Sequence, residues 1–215
     1  MLLRRLLLLA SLLGLTLVSA CTSTSKGDPL PVDTTGATPS SSTPRTSGNG
    51  DGKLPFAGAP KVDNPLDTSK YEQDPCKSLS AEQAQYLNIP PTGKFDDGVA
   101  LSTACEWKNQ TTRGLVRIFF LVDDPRGLSP EYKKNQKGEW AYFEVLPDIE
   151  GYPAIARGGS DQRDSGYCDV MVGVADDMAF GVSLQLSLAN VGRKDPCPKA
   201  AEVAGLALKT MKQGA

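Results

Sequence analysis

The 215-residue sequence contains no histidine. That absence removes Ser-His-Asp and Cys-His catalysis, histidine-rich metal sites and the commonest general base near neutral pH. It has no Cys-x-x-Cys pair, and so lacks both the thioredoxin-type redox motif and the usual ligand spacing of a structural zinc site. Neither Gly-x-x-x-x-Gly-Lys nor Gly-x-Gly-x-x-Gly occurs, so no phosphate-cradling loop is recognisable. After residue 20 no stretch is apolar enough to cross a membrane. An excess of positive charge is missing too, with 23 Lys and Arg against 25 Asp and Glu. No electrostatic footprint for nucleic acid or anionic lipid remains.

What is present begins with a leader. Arg4 and Arg5 precede an apolar run from Leu6 to Val18, shorter than the roughly 20 residues of a membrane span. Ser19 and Ala20 then supply small residues, as at an export-signal cleavage site. Residues 1–20 therefore read as a signal peptide. The junction Val18-Ser19-Ala20-Cys21 resembles a bacterial lipobox: aliphatic, small, small, and the cysteine that is diacylated. Cys21 is the expected mature N-terminus, carrying diacylglycerol and palmitate on the outer face of the cell membrane. Two or more acyl chains anchor stably where one does not. Loss of Arg4 and Arg5 with the leader would leave 21 basic against 25 acidic side chains, a net charge of −4.

Between residues 22 and 52, 22 of 31 positions are Ser, Thr, Gly or Pro and none is aromatic. Such a stretch buries too little apolar surface to offset its ordering entropy. The expected disordered tether runs over residues 21–66, because "PFAGAPKVDNPLD" still reads as punctuation. Its root-mean-square reach is roughly 35–40 Å, enough to lift a domain off the membrane.

Residues 67–215 read as one α+β domain. Ser80 with Gln83 forms a capping box, and Leu79 with Ala84 a hydrophobic staple, ahead of a helix that must stop before Pro90-Pro91. "ACEWKN" and "LVRIFFLV" flank a turn at 111–114, "SPEYKKNQKGEW" reads as a surface helix capped by Ser129, and "YFEVL" returns to strand. Cys168, Val170, Val172 and Val174 alternate onto one face. So do Val182, Leu184, Leu186 and Leu188, with Ser183, Gln185 and Ser187 opposite, which predicts an antiparallel hairpin with one wet face. Ala200, Val203, Ala204, Ala207, Leu208 and Met211 define a closing amphipathic helix, with Lys209 and Lys212 suited to its C-terminal dipole. The expectation is an antiparallel sheet packed by N-terminal and C-terminal helices.

The tripeptide Asp-Pro-Cys occurs at 74–76 and again at 195–197. Asp suits an N-cap and Pro the first helical position, so each is expected to open a helix. Cysteine in a first turn can be a reactive thiol. An even set of four outside the membrane (Cys76, Cys105, Cys168 and Cys197) points instead to a disulfide framework. The separations 76–105 and 168–197 are both 29 positions, which suits two local staples. Pairing 76–197 with 105–168 remains open on spacing alone.

"CEW", "GLSPEY", "VLPDIEGYPAI", "YCDVMVGVAD" and "DPCPKAAEVAGLAL", together with the lipobox, resemble an actinobacterial lipoprotein family known as domain of unknown function 3558. The resemblance spans about Asp74 to Met211. It implies an exported lipoprotein with paired cysteines and no assigned activity.

The remaining chemistry is thin. "ARGGSDQRDSG" (156–166) lies between strands with no helix after it, as a hairpin loop does. The acidic pairs Asp96-Asp97, Asp123-Asp124 and Asp176-Asp177 fall at turns, although paired carboxylates also suit calcium or acid–base work. Trp107, Trp140 and Tyr152 are candidates for lining a cleft. The expected role is non-enzymatic: an envelope binding or accessory protein with no cofactor and no metal, engaging an envelope protein, wall or lipid partner. The competing readings are a small aspartate-based hydrolase and a solute- or lipid-binding lipoprotein.

Overall fold

The computed structural model describes residues 53–96 and 102–214. The leader, Cys21 and the tether up to residue 52 lie outside the described residues.

Among the described residues seven strands form one antiparallel sheet: β1 (Lys94–Asp96), β2 (Thr103–Lys108), β3 (Leu115–Phe120), β4 (Tyr142–Ile149), β5 (Tyr152–Gly158), β6 (Tyr167–Ala175) and β7 (Met178–Gln185). Their spatial order is β1-β2-β3-β7-β6-β5-β4. Two meanders thus meet where β3 pairs with β7, and the chain crosses from the centre of the sheet after β3 to its far edge at β4. The helices are α1 (Ser69–Gln73), α2 (Ala81–Tyr86), α3 (Ser129–Gln136) and α4 (Pro196–Gly214). The α+β expectation holds.

Period-2 alternation sorts the sheet residues into two layers. The main core takes Trp107, Ile118, Phe120, Val170, Val172, Val174, Phe180, Val182 and Leu184, beneath Ala200, Val203, Ala204, Ala207, Leu208 and Met211 of α4. Between residues of this set, the opposite face carries a smaller cluster of Ala104, Phe119, Ile155, Met171 and Ala179, closed by Leu128 and Tyr132. The β6–β7 hairpin is therefore covered on both faces, and even Ser183 is buried. A single wet face was expected because the cover comes from α3 and its approach, far from the hairpin in sequence. Leu188 falls past the end of β7 and is exposed.

The segment 53–66, expected to continue the tether, is docked on the domain. Val62 is buried, and its N–H donates to Asp176 Oδ1 at 2.8 Å. The Leu66 N–H donates to the Val174 carbonyl at 2.9 Å, and the Phe56 N–H to Ser129 Oγ at 3.0 Å. Asp176, foreseen as a solvated turn carboxylate, anchors this segment. Ser129 is not a helix cap: Leu128 holds the N-cap position of α3, and the buried Ser129 hydroxyl serves Phe56 instead.

Local signals at the other helices behave as expected. The Ser80 hydroxyl accepts the Gln83 N–H and the Gln83 side chain accepts the Ser80 N–H, the full capping box of α2. At 195–197 Asp195 Oδ1 accepts the Cys197 N–H at 2.9 Å and Pro196 opens the 19-residue α4. The first Asp-Pro-Cys differs: it opens only a single 3-10 turn, Pro75–Ser78, without a side-chain cap.

Candidate functional site

All four domain cysteines are consumed in disulfides. Cys76 bonds Cys105 across a Cα–Cα distance of 5.0 Å, tying the 3-10 turn to β2. Cys168 bonds Cys197 across 5.2 Å, tying the start of β6 to the first turn of α4. The hairpin explains the second bond, since β7 returns to place Leu184 opposite Cys168 before the chain enters α4. The local pairing is the one formed, and neither Asp-Pro-Cys thiol is free to act as a nucleophile.

The aromatic candidates do not come together. Trp107 and Tyr152 are packed into the main core. Trp140 sits on the other layer, donating its indole N–H to the Glu131 carbonyl at 3.1 Å, with Arg157 4.8 Å and Lys134 5.0 Å from its ring centre. No cleft is built from these three rings.

The acidic pairs disperse as well. Asp96 bonds Arg117 at 3.3 Å, Asp124 is gripped by Arg126 through Nε and Nη2, and Asp176 holds Val62. Asp97 lies outside the described residues. In the loop 156–166, Asp161 accepts both a two-point bond from the Arg163 guanidinium and the Arg163 N–H. Those bonds hold its carboxyl down at about 2. The loop carries one 3-10 turn, Arg163–Ser165, and no helix follows it, as a hairpin connection requires.

The densest ionic cluster was not foreseen from sequence. Arg157 on β5 bridges Glu131 of α3 at 3.3 Å and Asp169 of β6 at 2.7 Å, and all three side chains are at most 16 % exposed. The Tyr167 hydroxyl donates to Asp169 Oδ1 at 2.8 Å. Burial, aided by the neighbouring Asp169 carboxylate, pushes that phenol up to about 12. Each charge here is opposed by another, so the cluster fastens α3 to the sheet rather than presenting an unpaired acid or base. A tyrosine and an aspartate two positions apart on a strand share a face, which is the one signal the sequence offered.

Two of the concave surfaces among the described residues bear on function. One, of about 400 Å³, lies between the loop at 161–164 and the chain at 192–196, walled by Asp161, Arg163, Arg193, Lys194 and Asp195. The other, of about 480 Å³, runs between the edge strand β4 and the first half of α4. Its floor is Leu146, Pro147, Ile149, Pro198 and Ala201, and Glu144, Asp148, Glu150 and Asp195 stand around it. Sequence reasoning missed it because its walls are about 50 residues apart along the chain. A strand carrying charges and a proline, "EVLPD", nevertheless reads as an exposed edge.

Among the described residues no group of acidic or cysteine side chains is arranged to hold a metal ion, and no helix is long and apolar enough to cross a membrane. A family model, "Protein of unknown function (DUF3558)", matches residues 16–210. No curated protein and no solved structure matches.

Proposed function

We propose that this chain, which belongs to the DUF3558 family of proteins of unknown function, is an exported lipoprotein of an actinobacterial-type envelope that works by binding. The observation that carries the reading is the pair of disulfides. Such a framework persists in oxidising compartments and is rare where thiols are kept reduced. It agrees with the leader at 1–20 and the lipobox cysteine Cys21. Diacylation there would fix the protein to the extracytoplasmic face of the membrane, and the Ser/Thr/Gly/Pro-rich stretch after it would hold the domain in the wall space.

A binding role, rather than catalysis, is supported by how the polar groups are used. One aspartate of each turn pair (Asp96, Asp124 and Asp176) and the Glu131–Arg157–Asp169 cluster are engaged with other groups of the chain. Hydrolysis by aspartates would instead need a paired acid and base exposed to substrate. Burial of Trp107 and Tyr152 in the core favours a protein partner over a solute held between aromatic rings. Expression of Cys21→Ala in an acylating host tests the anchor: loss of palmitate label and release from the membrane fraction are expected. Normal membrane retention of a cleaved Cys21→Ala protein would refute it. Crosslinking in intact cells, followed by affinity capture, tests the binding reading through recovery of a defined partner.

A further inference from the structure

The groove between β4 and α4 is a wedge with a built shape. At its closed end Ile149 Cγ2 lies only 3.5 Å from where a Cβ on Gly205 would sit, so strand and helix touch. Glu150 beyond it is drawn to Lys209 at 3.5 Å and Lys212 at 3.6 Å. Towards the N-terminus of α4 the two elements part, and the apolar floor is left uncovered over about 480 Å³. That volume falls within the roughly 300–1,000 Å³ of ligand sites.

The rim has one sign of charge. Glu144 and Asp148 have no ion-pair partner among the described residues, and Asp195 spends one carboxylate oxygen on the Cys197 N–H. The cations nearest in sequence to the closed end, Lys209 and Lys212, are already committed to Glu150. The groove also adjoins an open sheet edge. Among the described residues β4 pairs only with β5 and ends the strand order, and its register is regular from Tyr142 to Leu146 before the irregularity that includes Pro147. An open edge supplies main-chain donors and acceptors for a further strand, while adjacent pockets select side chains.

From these three features we infer that the β4–α4 groove docks an extended polypeptide segment whose groove-facing side chains, at every second position, are in turn lysine or arginine and aliphatic. The aliphatic side chains fill the floor at Leu146, Pro198 and Ala201, the cations face Glu144 and Asp148, and the backbone runs along Tyr142–Leu146. The inference rests on the binding reading above and names the chemistry of its partner.

The test titrates the full chain, in nonionic detergent, into fluorescein-labelled acetyl-Lys-Thr-Val-Thr-Lys-Thr-Val-amide, which turns its lysines and valines to one face, and follows anisotropy. Saturable binding that weakens with added salt is expected. Reversing both rim charges, Glu144→Lys with Asp148→Lys, should weaken it about tenfold and allow acetyl-Glu-Thr-Val-Thr-Glu-Thr-Val-amide to bind instead. Ala201→Trp, which fills the floor, should weaken the lysine-bearing peptide similarly. The rim and floor positions are surface or half-buried, so unchanged thermal midpoints will show that the variants fold. Absence of binding to the wild-type chain, or equal affinity for the double-lysine or Trp variant, overturns the site. N-methylation of alternate peptide amides should abolish binding; retained affinity overturns the peptide assignment in favour of a small cationic amphiphile. The titration does not depend on the anchor, so its failure leaves the Cys21→Ala fractionation result standing.

Discussion

Replacing both cysteines of one bridge by alanine removes a crosslink whose effect can be worked out from the chain alone. Cys76–Cys105 and Cys168–Cys197 each close a loop of sequence separation 29, and the two loops do not overlap. Chain-entropy reasoning assigns about 3.6 kcal/mol to each at 25 °C, and separate loops should add. In a domain of this size, about 1 kcal/mol moves the thermal midpoint by about 2–4 °C, so either double variant should melt about 7–14 °C lower. Because the entropic effects are equal, any difference between the variants reports packing. Cys168 and Cys197 are both buried, whereas Cys76 is only half-buried. Removing the second bridge should therefore cost about 1 kcal/mol more. Urea unfolding followed by fluorescence of the buried Trp107 measures both effects. The urea slope should also rise, since an uncrosslinked unfolded chain exposes more surface. Double variants that stay within about 1 kcal/mol of wild type would refute the assignment of these bonds as the main restraint on the unfolded chain.

Arg157→Met strands the Glu131 and Asp169 carboxylates at the α3–sheet contact and should cost about 3 kcal/mol in urea unfolding; a loss below about 1 kcal/mol would mean that water already screens the cluster. Ser78 Oγ is buried without a hydrogen-bond partner among the described residues, so Ser78→Ala should be neutral or stabilising, and marked destabilisation would reveal a partner for the hydroxyl. Tyr167 stays protonated in the fold above the ordinary phenol range, so its contribution is complete below pH 10 and is lost as pH rises towards about 12. Burial also raises Tyr71, Tyr132, Tyr142 and Tyr152, so tyrosinate absorbance should titrate late as a whole and Tyr167→Phe should remove a component near 12; an unchanged titration curve in that variant would contradict the shift. Limited proteolysis should leave a resistant fragment beginning near Lys53, because Val62 and Leu66 are tied to the β6–β7 turn and strand; cleavage throughout 53–66 would return that stretch to the tether.

Much of the fold was legible because its causes are local. The capping box at Ser80 and Gln83, the alternation of Cys168 through Val174 and the buried stripe of α4 all depend on residues within a turn or two of one another. The equal 29-residue spacings narrowed the cysteine pairing, because a hairpin brings its own ends together. What misled was also local: Ser129 before a polar helix reads as a cap, and "PFAGAPKVDNPLD" reads as linker, since neither shows in itself what it will touch.

The sequence by itself determined the apolar periodicities, the starts of α2 and α4 and the even cysteine set, and it carried the leader and lipobox pattern that motivates the anchoring proposal. Tertiary structure alone decided the strand order, the covering of the second sheet face, the docking of 53–66 on Asp176 across 114 positions, and the β4–α4 groove. The division follows from range. Periodicity and caps are set by backbone geometry over a few residues. Which face is covered, and where a hollow is left, depends on elements that meet only after the chain has crossed the sheet from β3 to β4.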